Sequence, residues 1–208
     1  VQGHAGRPAS GGAVNMVEAR AVVDTLRDLM LSKGYAGTVG VVTPFRAQAN
    51  VITEAVSADE ALSTALLRAE FLADTVHKFQ GDERDVMVFS SVVSSNMPDG
   101  ALGFLRSNPN LFNVAITRAR AQLIVVGDRA ACMRSDVGYL SRFAQYTASL
   151  GVISGEDIEA RLAAVGPEYP TVARPELVSD WERVFYRALF AAGIRPVPQY
   201  PVVSLVMV

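Results

Sequence analysis

Three segments of the chain place charged and hydroxyl side chains at the expected ends of strands. The first, VGVVTPFRAQ, brings Thr43, Pro44 and Arg46 to the junction between a strand and the following helix. Backbone N–H groups at the start of a helix can bind a phosphate, and an arginine adds a positive charge beside them. Taken alone, however, these residues are more simply explained by an ordinary turn, with Thr43 as the helix cap and Arg46 on the surface.

The second segment, ADTVHKFQGDERDVMVFS, is denser in polar residues. Thr75, His77 and Lys78 supply a hydroxyl, an imidazole and an ammonium group near one strand end, a combination suited to the phosphates of a nucleic-acid backbone. Gly81 permits a close approach to the backbone, and Glu83 would accept hydrogen bonds from a ribose or hold a catalytic water. A solvated polar loop whose charges pair among themselves is an equal alternative.

The third segment, NLFNVAITRARAQLIVVGD, carries Arg118 and Arg120 at the end of a predicted helix, directly before a buried strand. Arginines at the carboxyl terminus of a helix are favoured by the helix dipole alone. The more specific hypothesis is that Arg118 stabilises negative charge on a phosphoryl group during its transfer. A guanidinium suits this role because it stays charged and binds oxygens in a planar fork.

Composition and charge exclude several other classes of protein. The net charge of −2 argues against whole-surface binding to nucleic acid, though not against a local basic groove. Neither lysine, Lys33 nor Lys78, stands in a G-x-x-x-x-G-K-[ST] sequence, so the chain lacks a P-loop. The single cysteine argues against an internal disulfide and a Cys/His zinc site. Since we find neither a membrane-spanning apolar run nor a signal-peptide centre, we expect a cytoplasmic protein.

Alternating apolar strands and amphipathic helices must position the three segments. Short β-branched runs predict buried strands, which we place at residues 39–43, 72–76, 86–94 and 122–128. Helical periodicity predicts helices near residues 15–34, 44–56, 60–69, 111–119 and 130–150, with SNMPDG as a loop. This order predicts an α/β fold: a parallel sheet with helices on both faces.

Together and in this order, the three segments resemble the second RecA-like domain of superfamily 1 helicases, in the branch of the nonsense-mediated-decay RNA helicase and its bacterial relatives. VGVVTPFRAQ is similar to that branch's G-[IV]-[IV]-[ST]-P-[YF]-x-x-Q segment, TVHKFQGDERD to its motif V and NVAITRAR to its motif VI. The N-x-x-E-A sequence at Asn15–Ala19 also fits the helix that precedes them. The resemblance covers about residues 14–130.

The resemblance implies a role for each matched residue. On the nucleotide side, Arg118 would be the arginine finger that reaches the γ-phosphate of ATP, with Glu83 on the same side and Arg120 as a supporting or sensing residue. Gln80 and Gly81 would shape the turn between the nucleotide side and the nucleic-acid side. The residues expected to face the phosphates of single-stranded DNA or RNA are Thr43, Pro44, Arg46, Thr75, His77 and Lys78.

The same resemblance implies that the chain is one part of an ATP-dependent helicase or translocase. The P-loop and the acidic pair that holds Mg²⁺ would lie in an N-terminal RecA-like domain of the same protein, which forms the other wall of the ATP cleft. We therefore expect ATP and Mg²⁺ to serve the intact protein, and negligible ATP hydrolysis by this chain alone. Two alternatives stay open: a non-enzymatic nucleic-acid-binding α/β module, and a different nucleotide-using α/β enzyme, which would need a P-loop or a dinucleotide glycine motif.

The predicted organisation is a RecA-like domain at residues 1–150, a linker with a short helix at 151–177 and a further piece at 178–208. This last piece resembles the truncated start of a PD-(D/E)XK-type nuclease domain related to very-short-patch repair nucleases. The resemblance implies that Glu182 would help to position a metal in a complete nuclease domain. A capping box formed by Ser179 and Glu182 is the structural alternative, and the stronger one.

Overall fold

Four apolar segments pair into a single parallel sheet. In the computed structural model, which describes residues 2–9, 11–79, 82–149, 166–172, 174–194, 196 and 198, the strands are β1 (Val39–Thr43), β2 (Leu72–Thr75), β3 (Arg84–Ser90) and β4 (Ala119–Val126). Their order is β2-β1-β3-β4, and every neighbouring pair is parallel. All four carboxyl ends therefore lie at one edge of the sheet, and all four amino ends lie at the opposite edge.

Side chains alternate between the two faces of the sheet, and helices cover each face. Val41 and Val88 belong to the core of the first face, and Val42 and Phe89 to the core of the second. The helices on the first face are α1 (Met16–Arg27), α2 (Arg46–Ser57) and α3 (Glu60–Leu66). Those on the second face are α4 (Asp99–Ser107), α5 (Pro109–Ile116), α6 (Arg129–Arg134) and α7 (Gly138–Ser149). The predicted α/β fold is confirmed.

Helix α1 begins and ends where its sequence predicts. Asn15 caps it, because its Oδ1 accepts a hydrogen bond from the backbone N–H of Glu18 at 3.1 Å. After Arg27 the chain makes one wider π-helical turn, and Gly34, at φ +62°, follows the end of the helical segment. The capping box is incomplete, because the carboxylate of Glu18 is buried in the core instead of returning to Asn15.

The third polar segment folds differently from the prediction. Helix α5 ends at Ile116, and β4 begins at Ala119, so Arg120 lies in a strand and not on a helix. β4 is at the edge of the sheet, and its first residues keep partly exposed side chains while their backbone pairs with β3. Apolar patterning marks only the buried half of such a strand, which is why the prediction began it at Gln122.

Two more expectations are corrected by the structure. Thr43 does not cap α2, because Phe45 occupies the N-cap position and no side chain makes the cap hydrogen bond. Helix α4 was not predicted, since proline and two glycines at its start and centre weaken helix propensity. The burial of Ala101 and Leu105 in the core of the second face stabilises it nevertheless.

The smaller of the two compact units of the chain contains the helix Asp180–Ala191, preceded by a 3₁₀ turn at Pro175–Leu177. As predicted, Ser179 caps this helix and accepts a hydrogen bond from the backbone N–H of Glu182 at 3.1 Å. The carboxylate of Glu182 accepts a hydrogen bond from Tyr169, so it does not complete a capping box.

One predicted element, the short helix expected in the linker, lies outside the residues that the structure describes. Within the part of the chain that is described, no helix has the length and apolar character needed to cross a bilayer.

Candidate functional site

The residues with predicted roles divide between two opposite edges of the sheet. Glu83, Arg118 and Arg120 lie at or beside the amino ends of β3 and β4, and we call this group the amino edge. The group at the carboxyl ends of β1 and β2, which we call the carboxyl edge, consists of Thr43, Pro44, Arg46, Asp74, Thr75, His77 and Lys78. Because strand residues rise about 3.3 Å each, the length of β1 alone separates the two edges by about 13 Å.

Glu83 is the common neighbour of both arginines at the amino edge. Arg120 donates a hydrogen bond from Nε to Glu83 Oε2 at 3.3 Å, and the Nη1 atom of Arg118 lies 4.0 Å from Glu83 Oε1. Arg120 also lies 4.0 Å from Asp85. The three predicted residues of this edge are therefore brought together by the fold.

Hydrogen bonds to neighbouring residues fix the side chain of Arg118 at the amino edge. Its Nε donates to the carbonyl of Val114 at 3.3 Å, and its Nη2 donates to the hydroxyl of Thr117 at 3.1 Å. Its backbone carbonyl accepts a hydrogen bond from Arg84 at 3.1 Å. The Nη1 atom, at 4.0 Å from Glu83, is beyond hydrogen-bond distance, so it can donate to a further anionic oxygen without any loss of existing bonds.

Arg84 pairs with Asp82, as expected for a polar loop whose charges pair among themselves, but its side chain is buried and not solvated. Arg84 donates to the carbonyl of Glu70 at 2.9 Å and to the carboxylate of Asp82 at 2.6 Å. The hydrogen bond from Arg84 lowers the pKa of Asp82 below its usual value. Arg84 thus ties the segment before β3 to the chain before β2, and the opposite charges of Asp82 and Arg84 in the sequence DERD were the available signal.

The carboxyl edge is organised by an ion pair that sequence reasoning missed. Arg46 Nη1 lies 2.6 Å from Asp74 Oδ1, and Arg46 Nη2 donates to the hydroxyl of Thr75 at 3.3 Å. Burial alone would raise the pKa of Asp74, but hydrogen bonds from Arg46 and Thr75 hold it below its usual value. An acidic residue directly before a strand-end threonine was the signal for this pair.

The remaining residues of the carboxyl edge differ in accessibility. The side chains of His77 and Lys78 are exposed and have no hydrogen bond or ion pair within the described part of the chain. Thr43 is completely buried, and its hydroxyl has no partner there, so it does not reach a ligand at the surface. Gln80 and Gly81 lie outside the described residues.

A buried polar network lies behind the carboxyl ends of β1 and β3. Glu18 is fully buried, and its Oε1 accepts hydrogen bonds from the hydroxyl of Ser90 at 2.6 Å and the backbone N–H of Val92 at 2.8 Å. Gln48 donates to Ser90 at 3.1 Å and accepts from the backbone N–H of Asn15 at 2.8 Å. Burial raises the pKa of Glu18 to about 7, although the bonds from Ser90 and Val92 act in the opposite direction.

Val92 is strained where it meets this network. Its φ of +65° is unusual for a β-branched residue, and its N–H is the group that Glu18 accepts from. The network therefore fixes the chain that leaves β3. No group of three or more His, Cys, Asp or Glu side chains that could hold a metal ion occurs among the residues described.

Comparisons with known proteins point to one class. A family model described as an AAA domain matches residues 2–130, a range that contains both edges. Putative helicase MOV-10 of Gallus gallus is 33% identical over 158 residues, covering 70% of this chain and 16% of the relative. Helicase sen1 of Schizosaccharomyces pombe is 33% identical over 116 residues, covering 56% and 6%.

A third relative is named as both a helicase and a nuclease. DNA replication ATP-dependent helicase/nuclease DNA2 of Mus musculus is 30% identical over 125 residues, covering 60% of this chain and 11% of the relative. The aligned part of the chain thus spans a sixth or less of each of these proteins.

Proposed function

Because the chain belongs to the family of AAA domains, and the relatives named above are helicases, we propose that it is the C-terminal motor domain of an ATP-dependent nucleic-acid helicase or translocase. The chain itself is a helicase-type RecA-like domain with a parallel sheet and helices on both faces. The proposal concerns its place in the protein, its two ligands and the residues that bind them.

The amino edge is proposed to face ATP. The observation that carries this assignment is the way Arg118 is fixed: two of its three nitrogens are bonded within the chain, and the third lies 4.0 Å from Glu83. A guanidinium held in this way is preorganised to stabilise the charge that develops on a transferring γ-phosphoryl group. Glu83 is placed to accept hydrogen bonds from the nucleotide or its attacking water, and Arg120 supports Glu83.

ATP itself would be bound mainly by a second RecA-like domain of the same protein. That domain would supply the P-loop and the carboxylates that hold Mg²⁺, since this chain has no P-loop sequence. The arginine cluster of the amino edge would complete the site when the two domains close. It follows that the isolated chain should hydrolyse ATP at a negligible rate.

The carboxyl edge is proposed to hold single-stranded nucleic acid. His77 and Lys78 are exposed and unpaired within the described structure, and they stand directly after the strand residue Thr75. Arg46 is exposed beside them and is oriented by Asp74. Such groups suit contacts with phosphates, which position a strand without reading its sequence. The side chain of Thr43 is buried, so Thr43 would act only by shaping the carboxyl end of β1.

Coupling between the edges would turn ATP hydrolysis into movement along the strand. The chain between β2 and β3 runs from the carboxyl edge to the amino edge and includes the predicted turn at Gln80 and Gly81. ATP would favour the closed arrangement of the two domains, because its γ-phosphate contacts Arg118 only in that arrangement. Hydrolysis would remove this contact. The contacts of the carboxyl edge with the nucleic acid would then change with each cycle of ATP hydrolysis.

Loss of the Arg118 guanidinium tests this proposal. In the intact protein, Arg118→Ala should reduce ATP turnover by roughly 10³-fold or more, because the charge on the transferring phosphoryl group loses its stabilising partner. Nucleotide binding should largely persist. The measurement is steady-state ATP hydrolysis in the presence of single-stranded nucleic acid, with nucleotide affinity determined in parallel.

Arg106→Ala is the matched control, because Arg106 is exposed, is paired with Asp136 at 2.6 Å and belongs to neither edge group. Its turnover should equal that of the unaltered protein. Unchanged turnover in Arg118→Ala would remove this residue from the mechanism and would favour the alternative, a non-enzymatic nucleic-acid-binding module.

The smaller unit is proposed to begin a nuclease-like domain, on the resemblance of its sequence alone. Glu182 is partly buried and bonded to Tyr169, so it is oriented by the fold. A metal role for Glu182 would require further ligands from the rest of such a domain.

A further inference from the structure

A cleft of about 660 Å³ adjoins the carboxyl edge, and most of the residues that line it have no role in the proposals above. Its walls are the N-terminal segment around Arg7 and Gly12, the start of α2 and the start of α4. Pro44 and Arg46 belong both to this cleft and to the carboxyl edge, so the two are continuous. The volume falls within the roughly 300–1,000 Å³ typical of small-molecule sites.

Two arginines and one aspartate line the cleft. Arg7, Arg46 and Asp99 are its charged residues. Arg46 is already paired with Asp74 at 2.6 Å, whereas Arg7 is exposed and makes no hydrogen bond or ion pair with any residue that the structure describes. A free guanidinium on the wall of a cleft is suited to a phosphate, which it can bind through two parallel hydrogen bonds.

An aromatic surface lies in the same cleft. Phe104 is 39% exposed, and its ring centroid lies 5.8 Å from that of the buried Phe45, which supports it from behind. The opposite segment is kept open by Gly11 and Gly12, at φ +83° and +78°; a Cβ at Gly12 would lie 3.4 Å from Phe45. A flat, supported and partly exposed ring is the type of surface on which nucleic-acid bases stack.

We propose that this cleft receives one nucleotide of the bound single strand, with its phosphate on Arg7 and its base on Phe104. The inference rests on the proposed function, since it extends the strand path from His77 and Lys78 past Arg46 into the cleft. It assigns nucleic-acid contacts to two residues that lie outside the three polar segments.

The first test is the charge of Arg7. We expect Arg7→Ala to weaken binding of a fluorescein-labelled oligothymidylate to the intact protein, measured by fluorescence anisotropy over a range of salt concentrations. The slope of log affinity against log salt should fall by about 0.7, the value for one phosphate contact with a single strand. Arg68→Ala is the matched control, because Arg68 is exposed, is unpaired among the described residues and does not line the cleft.

The second test separates base stacking from charge. Phe104→Ala should lower affinity for the same oligonucleotide by roughly 5- to 150-fold without changing the salt slope, since stacking involves no ion release. Phe104→Tyr, which keeps the ring, should bind like the unaltered protein and guards against a folding defect. On an abasic strand of the same length the Phe104→Ala effect should vanish, while the Arg7→Ala effect should remain.

Two outcomes would separate failure of this inference from failure of the proposed function. If Arg7→Ala and Phe104→Ala bind like Arg68→Ala while Lys78→Ala still weakens binding, the cleft assignment is wrong and the carboxyl edge stands. If the unaltered intact protein binds no single strand, both fail. Full displacement of the oligonucleotide by free thymidine monophosphate would also overturn the inference, because it would identify the ligand as a free nucleotide.

Discussion

The amino and carboxyl edges of the sheet are stabilised in opposite ways. At the amino edge, Glu83, Arg120 and Asp85 interact through partly exposed ion pairs at 3.3 and 4.0 Å. Behind the carboxyl edge, Glu18 and Ser90 belong to a network of short hydrogen bonds from which solvent is excluded. Exposed pairs contribute little to stability but remain available to a ligand, whereas a buried network fixes the scaffold.

Arg46 and Arg118 show a similar contrast between a side chain paired within the chain and one that remains available to a ligand. Arg46 lies 2.6 Å from Asp74 and is committed to an internal partner, while the Nη1 of Arg118 stays 4.0 Å from its nearest acid. Arg118 is thus fixed in position yet free to donate. Arg118 is therefore the more available of the two for an added anionic ligand, while Arg46, whose side chain is about half exposed, is held in place by Asp74.

The largest effect on stability should come from the buried network. Glu18 has its pKa raised from 4.5 to about 7 by burial, so the folded state binds a proton that the unfolded state loses. The contribution of Glu18 to stability should therefore be greatest below pH 4.5 and should be lost as the pH rises to about 7, by about 3 kcal/mol at roughly 1.4 kcal/mol per pKa unit. Glu18→Gln should remove this decline, and chemical denaturation over a pH series would measure it.

Glu54→Gln, on the exposed face of α2, controls for the loss of one carboxylate and should leave the pH profile unchanged. Equal pH profiles for Glu18→Gln and the unaltered protein would contradict the buried-network account. They would mean that Glu18 is ionised in the folded state at no cost.

The smallest effect should come from the amino edge. Arg120→Ala removes the pairs with Glu83 and Asp85, but Arg120 is more than half exposed, so stability should fall by less than about 1 kcal/mol. The same denaturation experiment at low and high salt would measure it, and high salt should shrink the difference further. A salt-independent loss well above about 1 kcal/mol would show that this edge is structural and not a ligand site.

Sequence patterning predicted the fold well where burial is continuous. The strand VGVVT was placed at its exact bounds, because all five residues are buried and β-branched side chains or glycine fill it. The polar start of β4 was missed, since Arg120 and its neighbours pair through the backbone and leave no apolar signal. Helix α4 was missed because tertiary burial of Leu105 outweighs the weak propensity of its glycines.

The amino edge was easier to anticipate than the network behind the carboxyl edge. Glu83 and Arg118 stand in recognisable polar strings that the fold brings together. Glu18 and Gln48 stand in the N-x-x-E-A and P-F-x-x-Q sequences that carry the resemblance, but their helical patterns do not predict that they turn inward and meet Ser90. Arg46 and Asp74 are far apart in the chain, and the acidic residue directly before the strand-end Thr75 was the sequence signal for their pairing.

The most direct test of the division between the two edges is the affinity of the intact protein for single-stranded nucleic acid, without nucleotide, over a range of salt concentrations. Arg118→Ala and Lys78→Ala each remove one positive charge, so net charge alone predicts equal effects. The account predicts that Lys78→Ala lowers the salt slope by about 0.7 and that Arg118→Ala leaves affinity and slope unchanged. Equal losses in both variants, or a loss confined to Arg118→Ala, would contradict it.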